Sequence, residues 1–315
     1  MREIKTVEYE KGKIKDAPRA VIGLGLFDGV HIGHRALLSE VVRRARALSL
    51  TPAVFTFHVA TEGLKSGAAR IYGEEERLSL FAEVGIELVY VADFSSLSGL
   101  SPEEFVLSVL SGELNCAVAV SGHSFRFGRG AVGDADLLSR LMRETGGEAL
   151  AIDDEMRFGE AVSSTRIRSC LAEGRTEETA ELLGSPYFIS GEVLRGRGKG
   201  HGWGFPTVNT AVRTDIPLKR GVYATRVAHR GKLYVGLTNL GTCPSFGERE
   251  LHAETMLLDF AGDLYGQTVD IYFISFIREE SAFSSPEELR ERIGLDEKIA
   301  RERIEKSKWQ ELGRK

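Results

Sequence analysis

The stretch GLGLFDGVHIGH, residues 23–34, leads from an apolar run into an amphipathic helix and decides how the first half of the chain folds. It contains four glycines and two histidines that lie three residues apart. Glycine lets the backbone approach a ligand closely, and a helix N-terminus attracts anions through its free N–H groups and its dipole. The stretch therefore predicts a phosphate site between a strand and a helix, with His31 and His34 facing it. A plain strand-to-helix turn is the alternative.

Up to about Gly184 the chain alternates apolar segments with amphipathic helices. AVIGLG, residues 20–25, is typical of a buried strand, and Leu37, Val41 and Ala45 lie on one face of the helix that follows. Three further strand–helix pairs and a last strand continue the pattern: PAVFTFH with GEEERLSLFAEVG, IELVYVADF with SPEEFVLSVLSG, CAVAVSG with DADLLSRLMRETGG, and EALAID. This alternation predicts a parallel α/β sheet with helices on both faces.

After Tyr187 the pattern changes to runs rich in β-branched and aromatic residues, with few helical segments between them. RVAHRGKLYV is typical of a hairpin that turns at Gly231, and a series of such antiparallel strands predicts a small β-barrel. The charged segment from residue 285 onward predicts a C-terminal helix packed across that barrel. We therefore expect two domains, residues 1–184 and 185–315.

Composition narrows the class of protein. Hydrophobic residues make up 42% and charged residues 28% of the 315 positions, as in ordinary globular proteins, and the net charge of -5 argues against a nucleic-acid coat. The charged start of the chain has no signal-peptide core, and no run reaches the roughly 20 apolar residues of a membrane span. The three cysteines lack metal-ligand spacing, which is typical of reduced thiols. These features predict a cytoplasmic protein without nucleic-acid or membrane partners, and they leave its oligomeric state open.

A companion motif, VSSTRIRSCLAEG at residues 162–174, could close on the same phosphates from another side. The hydroxyl groups of Ser163, Ser164 and Thr165 lie at a predicted helix N-terminus. The guanidinium groups of Arg166 and Arg168 can each donate two hydrogen bonds to phosphate oxygens. The alternative is an ordinary capped helix with solvated arginines. A glycine- and arginine-containing loop, SGHSFRFGRGAVGD at residues 121–134, follows a predicted buried strand at the same edge of the sheet.

These three motifs, in this order, resemble the FMN adenylyltransferase module of the prokaryotic bifunctional riboflavin kinase/FAD synthetase family. The resemblance implies a nucleotidyltransferase-type, Rossmann-like domain that joins the AMP of ATP to the phosphate of FMN and releases pyrophosphate. It implies catalytic roles for His31, His34 and Arg168. The remaining matched positions would bind the nucleotide or shape its site: Gly25, Phe27, Asp28, Gly29, Gly33, Ser124, Ser163, Ser164, Thr165 and Arg166.

Three departures from the family pattern touch this site. Leu26 replaces a polar residue, TFHVATEG at residues 56–63 lacks the usual prolines, and Ser124 replaces an acidic or amide residue. Loss of one transition-state donor costs about 100- to 1000-fold in rate. A riboflavin kinase with a nucleotide-binding but inactive or altered first domain therefore stays open as an alternative.

The stretch GEVLRGRGKGHGWGFPTVN, residues 191–209, has glycine at every second position from 196 to 204 and lacks the Gly-Lys-Ser/Thr ending of a P-loop. Thr207 and Asn209 offer neutral oxygens, which suit Mg²⁺. The string resembles the G-x-P-T-x-N motif of riboflavin kinases. That resemblance implies Glu254 as the catalytic base and Thr207 and Asn209 as metal and phosphate ligands. Further matched binding positions are Gly200, His201, Gly204, Pro206, Asn239 and Arg278.

Four residues of this half differ from the riboflavin kinase family pattern: His201, Trp203, Ser245 and Met256. The catalytic pattern is otherwise complete, so we expect two Mg²⁺-dependent reactions with small-molecule substrates. Riboflavin and ATP give FMN and ADP, and FMN and ATP then give FAD and pyrophosphate. A non-catalytic flavin-binding regulator is the alternative from another class.

Overall fold

The computed structural model describes residues 4–58, 69–194, 207–242, 251–258, 260 and 262–309. Its internal contacts separate the chain into two compact units, Met1–Ser164 and Thr165–Lys315. Two domains were expected from the change of pattern along the sequence. The helical segment at residues 165–183 belongs to the second unit by its contacts, and the boundary at 184/185 stays a prediction.

A six-stranded sheet forms the centre of the first unit, and every neighbouring pair of strands in it is parallel. The strand order is β1-β4-β3-β2-β5-β6. The strands are β1 (Lys5–Tyr9), β2 (Ala20–Leu24), β3 (Thr51–Phe57), β4 (Leu88–Ala92), β5 (Cys116–Gly122) and β6 (Glu148–Ile152). All five residues of β2 are buried, as expected of a central parallel strand covered on both faces. The predicted parallel α/β fold is confirmed.

Helices connect these strands. They are α1 (Ile32–Leu48), α2 (Glu74–Val84), the single turn α3 (Phe94–Leu97), a π-helix (Glu104–Glu113) and α4 (Ala135–Glu144). SPEE, residues 101–104, predicts a capped helix start, and Glu104 N–H donates to Ser101 Oγ at 3.1 Å while Ser101 N–H donates to Glu104 Oε2 at 2.9 Å. The helix that follows this capping box is π-helical. A two-stranded hairpin, β7 (Met156–Arg157) with β8 (Glu160–Ala161), completes the unit.

The second unit contains a closed, antiparallel six-stranded barrel of order β10-β13-β12-β11-β14-β9. Its strands are β9 (Phe188–Leu194), β10 (Thr207–Ala211), β11 (Gly221–His229), β12 (Lys232–Thr242), β13 (Leu251–Leu258) and β14 (Thr268–Arg278). The hairpin of β11 and β12 turns at Arg230 and Gly231, whose φ angles of 46° and 76° suit a tight turn. The predicted barrel and hairpin are both confirmed.

Three buried threonines fix the register on one side of the barrel. Thr225 Oγ1 lies 2.8 Å from Thr238 Oγ1, which lies 2.9 Å from Thr255 Oγ1. Successive side chains of a strand alternate between its two faces. The three threonines point into the barrel, so the residues next to them in each strand point outward. Glu254 is thereby placed opposite both Asn239 and Asn209.

Three helices belong mainly to this unit: α5 (Ser164–Glu173), α6 (Thr176–Leu183) and α7 (Pro286–Lys306). Thr176 Oγ1 at the start of α6 donates to the carbonyl oxygen of Ile274 on β14 at 3.3 Å. The C-terminal helix α7 packs on β11, β12 and β14, as expected, and buries Ala300 and Ile304.

Candidate active sites

The turn between β2 and α1 holds an unusual backbone conformation. Phe27, Gly29 and Val30 have φ angles of 54°, 88° and 40°. Residues other than glycine in this left-handed region cost about 1 to 3 kcal/mol each and persist where their surroundings hold them. At Gly29 a Cβ atom would lie 2.8 Å from Ile71 Cδ1, so the turn also needs a residue without a side chain there.

His31 and His34 form a stacked pair at the start of α1. Their ring centroids lie 3.6 Å apart with an interplanar angle of 17°. His31 is the N-cap of α1, and its Nδ1 accepts a hydrogen bond from the backbone N–H of His34 at 3.3 Å. An accepting Nδ1 puts the proton of the neutral ring on Nε2. His31 Nε2 is therefore a donor.

Both imidazoles are neutral at pH 7. Burial lowers the pKa of His31 to about 4. The pKa of His34 is lowered well below its usual value, first by burial and then by the charges of His31 and Arg77. The pair therefore offers N–H groups, and not a fixed positive charge, to an incoming ligand.

These rings open on a cavity of about 280 Å³ in the first unit. Eight of the predicted residues line it: Gly25, Phe27, His31, Gly33, His34, Ser124, Ser163 and Ser164. At Gly33 a Cβ atom would lie 3.3 Å from the His31 ring, so a side chain there would press on the histidine. The acidic residues on the same wall, which the sequence patterns did not single out, are Asp153, Asp154 and Glu155.

Asp28 and Gly29 shape the turn, and neither lines the cavity. The buried Asp28 carboxylate accepts a hydrogen bond from the backbone N–H of Ile71 at 3.2 Å. Ser164 Oγ donates to the carbonyl oxygen of Asp28 at 2.7 Å. Ser164 thus joins the second predicted motif to the turn of the first.

From Thr165 onward, the second motif belongs to the other unit. Thr165, Arg166 and Arg168 follow Ser164 on α5, within Thr165–Lys315. Arg166 Nη2 donates to Glu178 Oε1 at 3.1 Å. The expected phosphate contacts of these three residues stay predictions.

An apolar slot of about 380 Å³ adjoins the histidine cavity, with which it shares Leu24, Gly25 and Phe125. Six phenylalanines line it: Phe55, Phe57, Phe94, Phe105, Phe125 and Phe127. The loop at residues 121–134, singled out in the sequence, supplies Phe125 and Phe127, whereas the other four rings come from β3, α3 and the π-helix and belong to no motif. Such a slot suits a flat aromatic ligand.

His58 marks where the loop after β3 departs from the family pattern. Its Nε2 lies 2.7 Å from Glu8 Oε2, and its Nδ1 lies 3.2 Å from Glu74 Oε1. The remainder of that loop, residues 59–63, lies outside the described residues. An imidazole between two carboxylates thus joins the edge strand β1 and the start of α2 to the end of β3.

We expect the His58→Gln variant to lose part of the pH dependence of stability of the first unit. Burial opposes the charged ring, but the hydrogen bond to Glu8 and the charges of Glu8, Glu74 and Asp93 raise the pKa of His58. A raised pKa adds stability that is complete at low pH and is lost as pH rises through the folded-state value. Thermal unfolding at several pH values should show a smaller decline above neutral pH in the variant. An unchanged decline would contradict this role.

The second candidate site is a cavity of about 390 Å³ on the barrel. Four predicted residues line it: Thr207, Asn239, Glu254 and Arg278. Thr207 Oγ1 donates to Glu254 Oε1 at 2.8 Å, which fixes the carboxylate at the cavity wall. Met256, one of the departures from the family pattern, also lines the cavity.

Arg278 ties the end of β14 to α7. Its Nε and Nη2 both lie 2.8 Å from Oδ2 of Asp296, which is buried. Asn239 Nδ2 donates to Glu280 Oε1 at 3.1 Å. Phe283, with α7 residues, adds an apolar wall that the sequence patterns did not predict. The apolar α7 members of that wall are Leu289 and Ile293, and Asp296 also lines the cavity.

Asn209 shares a strand face with Thr207, two residues away, and is paired with Glu254 in the sheet. Among the described residues, no group of three or more His, Cys, Asp or Glu side chains is arranged to hold a metal ion. The predicted residues Gly200, His201, Gly204 and Pro206 and the departures Trp203 and Ser245 lie outside the described residues.

Both halves of the chain are similar to known protein families. A family model for FAD synthetase matches residues 13–166, and one for riboflavin kinase matches residues 183–304. The bifunctional riboflavin kinase/FMN adenylyltransferase of Escherichia coli K12 is 34% identical over 92% of this chain and 95% of its own length. The Bacillus subtilis protein of the same name is 32% identical over 91% of this chain and 93% of its own length.

A solved structure from Streptococcus pneumoniae, described as a macrolide-efflux protein, has a TM-score of 0.84 and 28% identity to this chain. It covers 95% of this chain, and this chain covers 99% of it, so the likeness spans both units. Within the part of the chain that the structure describes, no helix is both long and apolar enough to cross a membrane.

Proposed function

The chain belongs to the family of bifunctional riboflavin kinase/FMN adenylyltransferases, and on that premise we propose which of its residues carry each activity. It is an enzyme of flavin-cofactor biosynthesis that phosphorylates riboflavin to FMN and then adenylylates FMN to FAD. The match of both family models favours this function over a kinase alone and over a non-catalytic flavin-binding regulator.

In the first unit, we propose that His31 and His34 bind the triphosphate of ATP. One observation carries the proposal: two stacked, neutral imidazoles at the N-terminus of α1 open on a cavity beside an aromatic slot. An FMN phosphate oxygen attacks the α-phosphorus of ATP, and the bond to pyrophosphate breaks. Such a displacement depends on positioning and charge stabilisation, which N–H donors and a helix N-terminus supply.

The six-phenylalanine slot is where we propose that the flavin ring of FMN binds. Edge-to-face and offset contacts with phenylalanine rings suit a flat, conjugated ring system. The slot and the histidine cavity share Gly25, where a Cβ atom would lie 3.1 Å from the Phe27 ring. A flavin in the slot could therefore direct its phosphate toward the nucleotide.

In the second unit, we propose that Glu254 is the general base of the kinase. The 5'-hydroxyl of riboflavin must lose a proton as it attacks the γ-phosphorus of ATP, and ADP then leaves. Thr207 holds one Glu254 oxygen through a 2.8 Å hydrogen bond. The second carboxylate oxygen would take the proton. Arg278, Phe283 and α7 would form the flavin side of this cavity.

Mg²⁺ fits the donor chemistry of the kinase cavity. Thr207 Oγ1 and Asn209 Oδ1 are neutral oxygens on one strand face, and Mg²⁺ typically combines a few such protein ligands with water and substrate phosphates. Thr207 and Asn209 would hold the ion. When bound, it would neutralise charge on the phosphate oxygens. In both reactions we propose that the metal enters with ATP.

The two activities are tested together by incubating the purified protein with ATP and Mg²⁺ plus either FMN or riboflavin, and separating the products by chromatography. We expect FAD and pyrophosphate in equal amounts from FMN, and FMN followed by FAD from riboflavin. FMN accumulation without FAD would favour the alternative, a riboflavin kinase whose nucleotide-binding first domain is inactive or altered. Omission of Mg²⁺ should stop both reactions.

Small-molecule substrates follow from the family: riboflavin, FMN and ATP. The cytoplasmic location and the lack of nucleic-acid partners stay predictions from composition.

A further inference from the structure

Arg77, on α2, is 1% exposed although it lies in the acidic segment GEEERL. Its Nη1 donates to the carbonyl oxygen of Leu26 at 2.8 Å, and its Nη2 donates to the carbonyl oxygen of Phe57 at 3.2 Å. Leu26 belongs to the turn that follows β2, and Phe57 is the last residue of β3. One guanidinium therefore joins the turn that precedes the two histidines to a wall residue of the aromatic slot.

The turn needs such support. Phe27 and Val30, both with positive φ, are the first and last residues of the short segment between Leu26 and the N-cap His31. Thr56 Oγ1 also donates to the carbonyl oxygen of Leu26, at 3.1 Å. Strained backbone persists where several contacts over-determine it. Arg77 reaches the turn and the end of β3 together from a separate helix.

Arg77 also brings a buried positive charge close to His34. Burial lowers the pKa of Arg77 to about 10, so it stays charged at neutral pH. The carboxylates of Glu74 and Asp28 favour its charged form, and Arg70 opposes it. After burial and the charge of His31, Arg77 is the next cause of the lowered His34 pKa.

We propose that Arg77 is a positioning residue for adenylyl transfer, which holds the His31/His34 turn against the flavin slot without touching either substrate. The inference rests on the proposed assignment of the first unit. A guanidinium is suited to the task because its rigid fork can donate to two carbonyls at once. A lysine keeps the charge but not the fork, and a glutamine keeps a donor but not the charge.

The test uses the full chain with Arg77→Lys and Arg77→Gln, and with Arg43→Gln as a matched control. Arg43 is an exposed arginine on α1 that pairs with Glu40. For each protein, kcat and KM for ATP and FMN are measured in FAD formation across pH. FMN formation from riboflavin in the same chain reports whether the protein is folded.

We expect both Arg77 variants to lose about 10- to 100-fold in kcat for FAD formation, because small displacements of reacting groups have effects of that size. FMN formation should stay within about twofold, as for independent sites. In Arg77→Gln, activity should also begin to fall at a higher pH on the acid side, since His34 protonates more readily. In Arg77→Lys this acid limb should not move.

Full kcat in folded Arg77→Gln would overturn the inference. Equal losses in both variants with identical pH profiles would also overturn it, because they would indicate a purely structural role. If His31→Asn leaves FAD formation intact, the assignment of the first site fails instead, and the two failures are thereby distinguished.

Discussion

Replacing Glu254 by glutamine should strongly slow the conversion of riboflavin to FMN and leave the conversion of supplied FMN to FAD intact. The carboxylate lies at the wall of the barrel cavity, and one of its oxygens accepts a 2.8 Å hydrogen bond from Thr207. An amide keeps the size of the side chain and can still accept that bond through its oxygen. It cannot take a proton from the ribityl hydroxyl. Because a positioned general base contributes about 100- to 10,000-fold, we expect kcat for FMN formation to fall by that factor.

Glu192→Gln is the matched control, since Glu192 is an exposed glutamate on the outside of the same barrel, on β9. Both variants should unfold at the temperature of the parent. The measurement is FMN formation from riboflavin and FAD formation from FMN on the same preparations. If Glu254→Gln keeps full kinase activity, Glu254 is not the base. If a folded Glu254→Gln protein loses both reactions, the activities are assigned to the wrong units.

The strand-to-helix turn could be predicted from sequence because its chemistry is local. Strand residues, glycines, histidines and the helix start follow one another within residues 20–34, and the structure brings them to one cavity. The same holds for the capping box at Ser101 and for the hairpin at Gly231. In each case the interacting groups lie within a few residues of each other, so a short pattern contains the whole interaction.

Features that depend on distant residues were not predicted. The aromatic slot gathers phenylalanines between Phe55 and Phe127, and none of them is distinctive alone. Arg77 follows three glutamates, which is typical of an exposed helix start, yet tertiary packing buries it beneath the turn. The edge strand β1 was missed because KTVEY is polar and lacks the apolar run that marked the other strands.

The kinase site could be predicted only in part, because its residues are distant in sequence but match a family motif. Glu254 is 47 residues from Thr207 along the chain, so only the family resemblance singled it out. The physical cause of their contact is the register of the barrel, in which β10 and β12 both pair with β13 and place Asn209 and Asn239 opposite Glu254. The contribution of α7 to the cavity wall had no signal in the sequence beyond the helix itself.

Replacing His31 by asparagine should produce the opposite pattern, with loss of FAD formation and intact FMN formation. We propose two roles for His31: its Nδ1 caps α1, and its Nε2–H donates a hydrogen bond to the ATP triphosphate. Asparagine is a preferred N-cap, whereas alanine at an N-cap costs about 1 kcal/mol of stability. His31→Asn therefore keeps the helix start and removes the imidazole donor, so a loss of activity can be assigned to the donor.

Loss of one preorganised transition-state donor costs about 100- to 1000-fold, and we expect kcat/KM for ATP in FAD formation to fall by that factor. FMN formation from riboflavin should stay within about twofold, because the kinase residues belong to the other unit. His229→Asn, at the end of β11, controls for loss of a histidine elsewhere. Since the pKa of His31 is about 4 before ATP binds, the parent should bind ATP through a neutral ring at pH 7. Bound triphosphate would raise that pKa, so at about pH 5 ATP binding should take up protons in the parent and take up fewer in His31→Asn. Equal proton uptake, with undiminished FAD formation, would show that His31 does not contact the triphosphate.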